Sequence, residues 1–246
     1  MAATPNGRQE VKGKLVLFPV PISEEDHVQQ LPAYNLQLLN SCHTFIVEEV
    51  RTARRFLRKV GYQYAIDDTI FLELNEHTHA EEIGHYLDAV DEGQNIGLLS
   101  EAGLPCIADP GALITAIAQR KGIEIIPLVG PSSLMMALMA SGLNGQNFAF
   151  AGYLPVDKQA RREAIKHLEQ KARHEHQTQI FIEAPYRNNQ MLESLCEICL
   201  PDTQICVACD ITLPTQYIRT LTTRAWKLER GKADLHKRNT VFLIGG

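Results

Sequence analysis

Four short, almost wholly apolar runs most constrain how this chain can fold: KLVLFPV (residues 14–20), TFIV (44–47), IGLL (96–99) and EIIPL (124–128). A strand with one wet face alternates apolar and polar residues. A run that is apolar at nearly every position needs cover on both faces, as in a parallel sheet flanked by helices. The segments between the runs read as helices. Residues 31–39 put Leu36 and Leu39 on one face, 51–59 form a basic helix, and 81–92 line up Ile83, Leu87 and Val90. A further strand is expected over 70–74 and a helix over 112–120. Strand and helix thus alternate through residue 128, the pattern of a parallel α/β sheet with right-handed crossovers. Ligands of such sheets bind beyond the carboxyl ends of the strands.

Val129-Gly130-Pro131-Ser132-Ser133 reads as a hinge, which divides the chain into two α/β domains, 1–130 and 131–246. The second is expected to hold helices over 134–139, 157–173, 188–199 and 224–230. Its strands are expected over 147–154, 179–183, 205–211 and 240–244, with a strand or loop at 215–223. Residues 1–13 are polar, without an apolar signal core, and read as a disordered lead-in. No run approaches the length of a membrane span, so a cytoplasmic protein with six reduced cysteines is expected. The net charge of -5 argues against a general nucleic-acid coat but leaves room for a basic patch. Residues 1–150 carry 10 Lys+Arg against 18 Asp+Glu, whereas 151–246 carry 14 against 11.

Cys196-x2-Cys199 and Cys206-x2-Cys209 have the look of a four-thiolate zinc site, but the spacer between the pairs is short. The first pair shares a helix with Leu192 and Leu195. The second lies in a strand, where residues three apart face opposite ways. Core cysteines are therefore the expectation, and no metal is assigned. Neither GxxxxGK[ST] nor GxGxxG occurs, which removes the P-loop and the ordinary dinucleotide fold.

Several acids follow apolar strands: Glu48 and Glu49 after TFIV, Glu101 after IGLL, Glu183 after QIFI and Asp210 after ICVAC. Gathered around a cleft, such acids raise one another's pKa; as helix caps they do nothing more. Gly103-Leu104-Pro105 and Gly130-Pro131-Ser132-Ser133 both stand between a strand and a helix. Glycine there lets a backbone approach a ligand closely.

Six stretches in order resemble the tetrapyrrole methylase superfamily, within it the ribosomal RNA small subunit methyltransferase I branch: LFPVPIS, VEEVRTARRFL, LLSEAGLPCIADPG, PLVGPSSLMMALMASGL, FAGYLP and FIEAPYR. The resemblance runs from about residue 14 to the last residue. It implies a parallel-sheet first domain, a mixed-sheet second domain and S-adenosyl-L-methionine in the cleft between them. It also implies a homodimer and methyl transfer to a ribose 2′-hydroxyl of 16S rRNA in the small ribosomal subunit. By motif position the donor pocket would use Ile22, Leu104, Ile107, Ser132, Ser133, Ala208 and Asn239, with Gly103 and Pro105 shaping the turn. The branch's PIGNL turn is replaced here by Pro21-Ile22-Ser23-Glu24-Glu25, and its RELTK motif by Cys209-Asp210-Ile211-Thr212-Leu213.

Glu48, Glu101 and Glu183 are the candidate bases for a hydroxyl acceptor. Arg51, Arg187 and the Arg161-Arg162 pair are candidates for holding its phosphates. Two other readings share the fold: a methyltransferase for a tetrapyrrole or other small molecule, and a donor-binding protein without turnover.

Overall fold

The computed structural model describes residues 12–23, 30–75, 77–229 and 231–246. The chain divides into two compact units between Pro131 and Ser132. Most of the expected lead-in lies outside the described residues, as do Glu24, Glu25 and Arg230. Lys12 and Gly13, however, are tied to the first unit: Gly13 N–H donates to Val90 O at 2.9 Å and Lys12 pairs with Asp91 at 3.2 Å.

The first unit runs β1 (Leu15–Phe18), α1 (Ala33–Leu39), β2 (Cys42–Val47), α2 (Val50–Lys59), β3 (Ile70–Glu73), α3 (Ala80–Ile83), α4 (Asp88–Asp91), β4 (Asn95–Leu99), α5 (Ala112–Lys121) and β5 (Ile125–Pro127). Its sheet is parallel throughout, in the order β3-β2-β4-β1-β5. The unalternating runs are explained by their two covers. Val16, Phe18, Phe45, Val47 and Leu99 pack with Leu39, Phe56 and Leu57 on one face. Leu15, Ile46, Ile96 and Leu98 pack with Leu87, Val90, Ile114 and Ala118 on the other. Each large side chain so buried is worth about 1.5–3 kcal/mol.

Two expectations need correction. The first strand stops at Phe18, because Pro19 has no N–H for the ladder; Val20 rejoins the sheet through an isolated bridge to Gly103. The helix expected over 81–92 is two short helices, α3 and α4. Glycine at position 84 weakens the helix, and the chain between them winds in i→i+3 turns, His85 N–H to Glu82 O and Tyr86 N–H to Ile83 O. Its apolar face survives, since Ile83, Leu87 and Val90 are all buried.

The second unit runs α6 (Ser133–Ser141), β6 (Phe148–Tyr153), α7 (Lys158–His174), β7 (Thr178–Ile182), α8 (Asn188–Ile198), β8 (Gln204–Cys209), β9 (Tyr217–Thr222), α9 (Thr223–Leu228) and β10 (Thr240–Gly245). Its sheet, β6-β7-β10-β8-β9, is mixed: β6 and β7 are parallel, and the other neighbours antiparallel. Helices α7, α8 and α9 cover one face, burying Ile165, Leu195 and Trp226 against Phe181, Ile205, Val207 and Phe242. Helix α6 packs on β8, β9 and β10. Cys209 joins the helix-covered core while Cys206 lies outside that cluster. Burial pushes the Cys199 and Cys206 thiols up and keeps them protonated. Among the described residues no three His, Cys, Asp or Glu side chains are placed to hold a metal ion. No described helix is long and apolar enough to cross a membrane.

Candidate functional site

Three turns meet at the carboxyl ends of β1, β4 and β5 in the first unit. Val20 and Gly103 exchange both backbone hydrogen bonds, Val20 N–H to Gly103 O at 2.9 Å and Gly103 N–H to Val20 O at 3.1 Å. The Ser100 hydroxyl also donates to Gly103 O, at 2.9 Å. Gly103 has a φ of 75°, and a β-carbon on it would lie 3.4 Å from both the Ile22 side chain and Pro131 O. Gly130 is closer still: a β-carbon there would fall 2.1 Å from Pro19 Cβ. The buried Asn35 steadies the third turn, its Nδ2 donating to Val129 O at 2.8 Å.

This geometry corrects one expectation. Gly103 cannot offer its own N–H or C=O to a ligand, because Val20 engages both. In the same turn the amides of Leu104, Ile107 and Ala108 have no partner among the described residues, and neither do those of Glu101, Ala102 and Asp109. Pro105 is buried beneath them and Ile107 is half exposed. Cys106 and Ala108 take φ values of 68° and 59°, which cost a non-glycine residue about 1 kcal/mol each. Asp109 holds that shape: its Oδ1 accepts from Cys106 N–H at 2.8 Å and Gly111 N–H at 2.7 Å. No site role is expected of Asp109 from the sequence, although an Asp-Pro-Gly run is the signal of such a turn.

The acids at the ends of β2 and β4 gather here. Burial, then the nearby Asp109, raises the Glu48 carboxyl above the ordinary glutamate value. Glu101 is raised by partial burial, then by Glu48 and Glu49, with the Thr52 hydroxyl opposing. Glu49 has another task. It caps α2, accepting from Arg51 N–H and Thr52 N–H at 2.8 Å each. Arg51 is exposed at the start of that helix.

The other candidates belong to the second unit. Ser132 caps α6, its Oγ accepting from Met135 N–H at 3.4 Å, and Ser133 opens the helix; both are half-buried. Glu183 and Arg187 are brought together as a buried ion pair. Glu183 Oε1 also accepts from Ala184 N–H at 2.7 Å, while its Oε2 is buried without a partner. Arg187, committed to that pair and lying over the Tyr186 ring, is not a free phosphate ligand. The Arg161-Arg162 pair is split by helical geometry. Arg161 is buried and donates to Val156 O at 3.2 Å, whereas Arg162 is exposed. Ala208 is wholly buried in β8, paired with Val241. Asn239 is exposed, and its carbonyl accepts from Asp210 N–H at 2.8 Å.

Asp210 reveals a residue the sequence did not. Its Oδ2 takes Arg238 Nε at 2.8 Å and the Thr215 hydroxyl at 2.8 Å. Arg238 Nη1 also donates to Asp234 O at 2.9 Å. Arg238, in the loop before β10, thus ties Asp210 and Thr215 after β8 to Asp234 of its own loop.

The sequence pattern of the tetrapyrrole (corrin/porphyrin) methylases matches residues 29–225. The chain belongs to the tetrapyrrole methylase family. Among curated relatives, this methylase-family chain is 30% identical over 201 residues to the ribosomal RNA small subunit methyltransferase I of Escherichia coli O157:H7, covering 82% of this chain and 66% of that protein. The Bacillus subtilis (strain 168) protein of the same name is 32% identical over 208 residues, covering 84% of this chain and 66% of its own. The Thermotoga maritima one is 30% identical, covering 81% of this chain and 84% of its own. The chain therefore spans somewhat less than two thirds of the first curated relatives it matches. The methyltransferase CobJ shares the fold at a TM-score of 0.62 and 19% identity, covering 95% of this chain and 94% of its own. The uroporphyrin-III C-methyltransferase of Thermus thermophilus does so at 0.55 and 17%, with the same coverage.

Proposed function

We propose that this tetrapyrrole methylase-family chain is an S-adenosylmethionine-dependent methyltransferase acting on a ribose 2′-hydroxyl of small-subunit ribosomal RNA. The observation that carries the reading is the first-unit crest, where three turns converge and the amides of Leu104, Ile107 and Ala108 are left unpartnered. Such amides, on a backbone fixed by Val20, Ser100 and Asp109, suit a ligand rich in hydrogen-bond acceptors, and the adjoining Ile107 and Ile22 suit its apolar parts. The residues present fit the donor on that ground. Ser132, Ser133, Ala208 and Asn239 are the second-unit residues that the family resemblance assigns to the same donor.

When bound, the donor supplies a methyl group on a cationic sulfur. What the chain contributes is alignment and exclusion of water, worth up to about 7–11 kcal/mol of barrier. Glu48 and Glu101, both raised above the ordinary glutamate value by partial burial and neighbouring acids, suit acceptance of the hydroxyl proton, a contribution of about 10²–10⁴-fold. Glu183 remains a third candidate through its unpartnered Oε2. Of the predicted phosphate ligands, Arg51 and Arg162 are the exposed ones. A cytoplasmic homodimer belongs to the same reading.

Calorimetry with S-adenosylmethionine should give micromolar binding. Labelled donor should then methylate small subunits purified without the modification. No binding at millimolar donor would remove the reading; binding without transfer to RNA would leave a silent binder.

A further inference from the structure

Resting on the ribosomal RNA reading, the geometry points to α2 and the aromatic turn that follows it as a track for single-stranded RNA leading to the acid cluster. Five of the ten Lys+Arg residues in the acidic first 131 positions fall within this ten-residue helix, VRTARRFLRK, which contains no acid. Arg51, Arg55, Arg58 and Lys59 are all exposed, at the i, i+4, i+7 and i+8 spacing of a single face. The other face is fixed by the burial of Ala53, Phe56 and Leu57. Arg51 to Lys59 is a rise of about 12 Å, long enough to run beside several backbone phosphates of one strand.

The helix runs antiparallel to β2. Arg51 therefore lies at the crest beside Glu48 and Glu49, and Lys59 lies at the amino end of the sheet. There a second feature begins. Tyr62 is anchored to the end of α2 by its amide to Leu57 O at 3.0 Å, and its hydroxyl donates to Cys42 O at 2.7 Å. Its ring meets Tyr64 at 5.5 Å, and Tyr64 meets His43 at 4.1 Å between centroids. Tyr64 is 43% exposed and His43 is exposed too. A short ladder of rings at the water boundary, continuous with a basic face, combines base stacking with phosphate attraction. Unpaired RNA is held by that pair of interactions, whereas a duplex keeps its bases stacked on one another and out of reach of the rings.

The test uses the intact chain and a fluorescein-labelled, unstructured 12-nucleotide RNA, with anisotropy read across 50–200 mM salt. Arg55→Gln with Arg58→Gln should weaken binding and reduce the salt slope by about 1.4, at about 0.7 per lost contact on a single strand. Tyr64→Ala should weaken binding roughly tenfold at every salt concentration without changing the slope. Both variants should keep the wild-type melting temperature and donor affinity, with His43→Ala as a second probe of the ladder. Wild-type RNA binding that none of the variants alters would overturn the track and leave the ribosomal RNA reading standing. An unaffected tyrosine variant, with heparin displacing the RNA as readily as unlabelled RNA does, would reduce the face to a general polyanion patch and overturn the track. No RNA binding by the intact chain would remove both.

Discussion

Glu101 sits where ionisation is opposed. Burial and the neighbouring Glu48 and Glu49 make the folded chain hold this proton more tightly than the unfolded chain does. The folded state therefore binds more protons, and stability falls as pH rises from the unfolded glutamate value through the raised folded one. Above that window the penalty is complete. Glu101→Gln removes it, so the variant should melt about 1–3 °C higher than wild type at pH 8, with the gap closing by pH 4. Thermal melts at several pH values check this; a variant that melts lower at pH 8, or a gap independent of pH, would refute it. The acids themselves were legible in the sequence because each follows an apolar run. Their partners were less so. Glu48 meets Asp109 across the sheet crest, and Asp210 takes Arg238 from 28 positions away. Periodicity reports on neighbours along the chain, and no local spacing carries a pair that only the returning strands bring together.

A turn between elements can be fixed as firmly as a core. At Gly130 an added β-carbon would lie 2.1 Å from Pro19 Cβ and 2.6 Å from its Cγ. A proline ring cannot rotate away, so the backbone after β5 must shift from the backbone after β1. Gly130→Ala should cost about 1–3 kcal/mol in denaturant unfolding, and donor affinity should fall with it, because both turns wall the proposed pocket. Gly145→Ala, where the added atom meets nothing within 4 Å, is the matching control and should unfold like wild type. The same contrast explains what the sequence revealed of the elements. Unbroken apolar runs identified β1, β2 and β4, because burial on two faces leaves a mark at every position. The break of 81–92 into α3 and α4 left no such mark, since Ile83, Leu87 and Val90 keep helical spacing whether the turns between them close on i+4 or i+3. The bridge from Val20 to Gly103 was hidden behind a proline that reads as a stop.

The three apolar clusters respect the division at Pro131 and Ser132. Two cover the faces of the parallel sheet and draw only on residues 15–128; the third draws only on residues 154–244. Each sheet also closes its ladder within its own unit. Each of these clusters, where burial supplies the dominant favourable term in folding, is thus assembled within one unit. Separately expressed fragments 1–131 and 132–246 should each give a cooperative thermal transition by circular dichroism. The donor reading makes the opposite demand, because the residues the family resemblance assigns to the donor are divided between the units: the crest turns in one, Ser132, Ser133 and Asn239 in the other. Neither fragment alone should bind S-adenosylmethionine in calorimetry at concentrations that saturate the intact chain. A folded fragment 1–131 that bound the donor as tightly as the intact chain would confine the site to the crest of the parallel sheet. The second unit would then have to act on the acceptor instead.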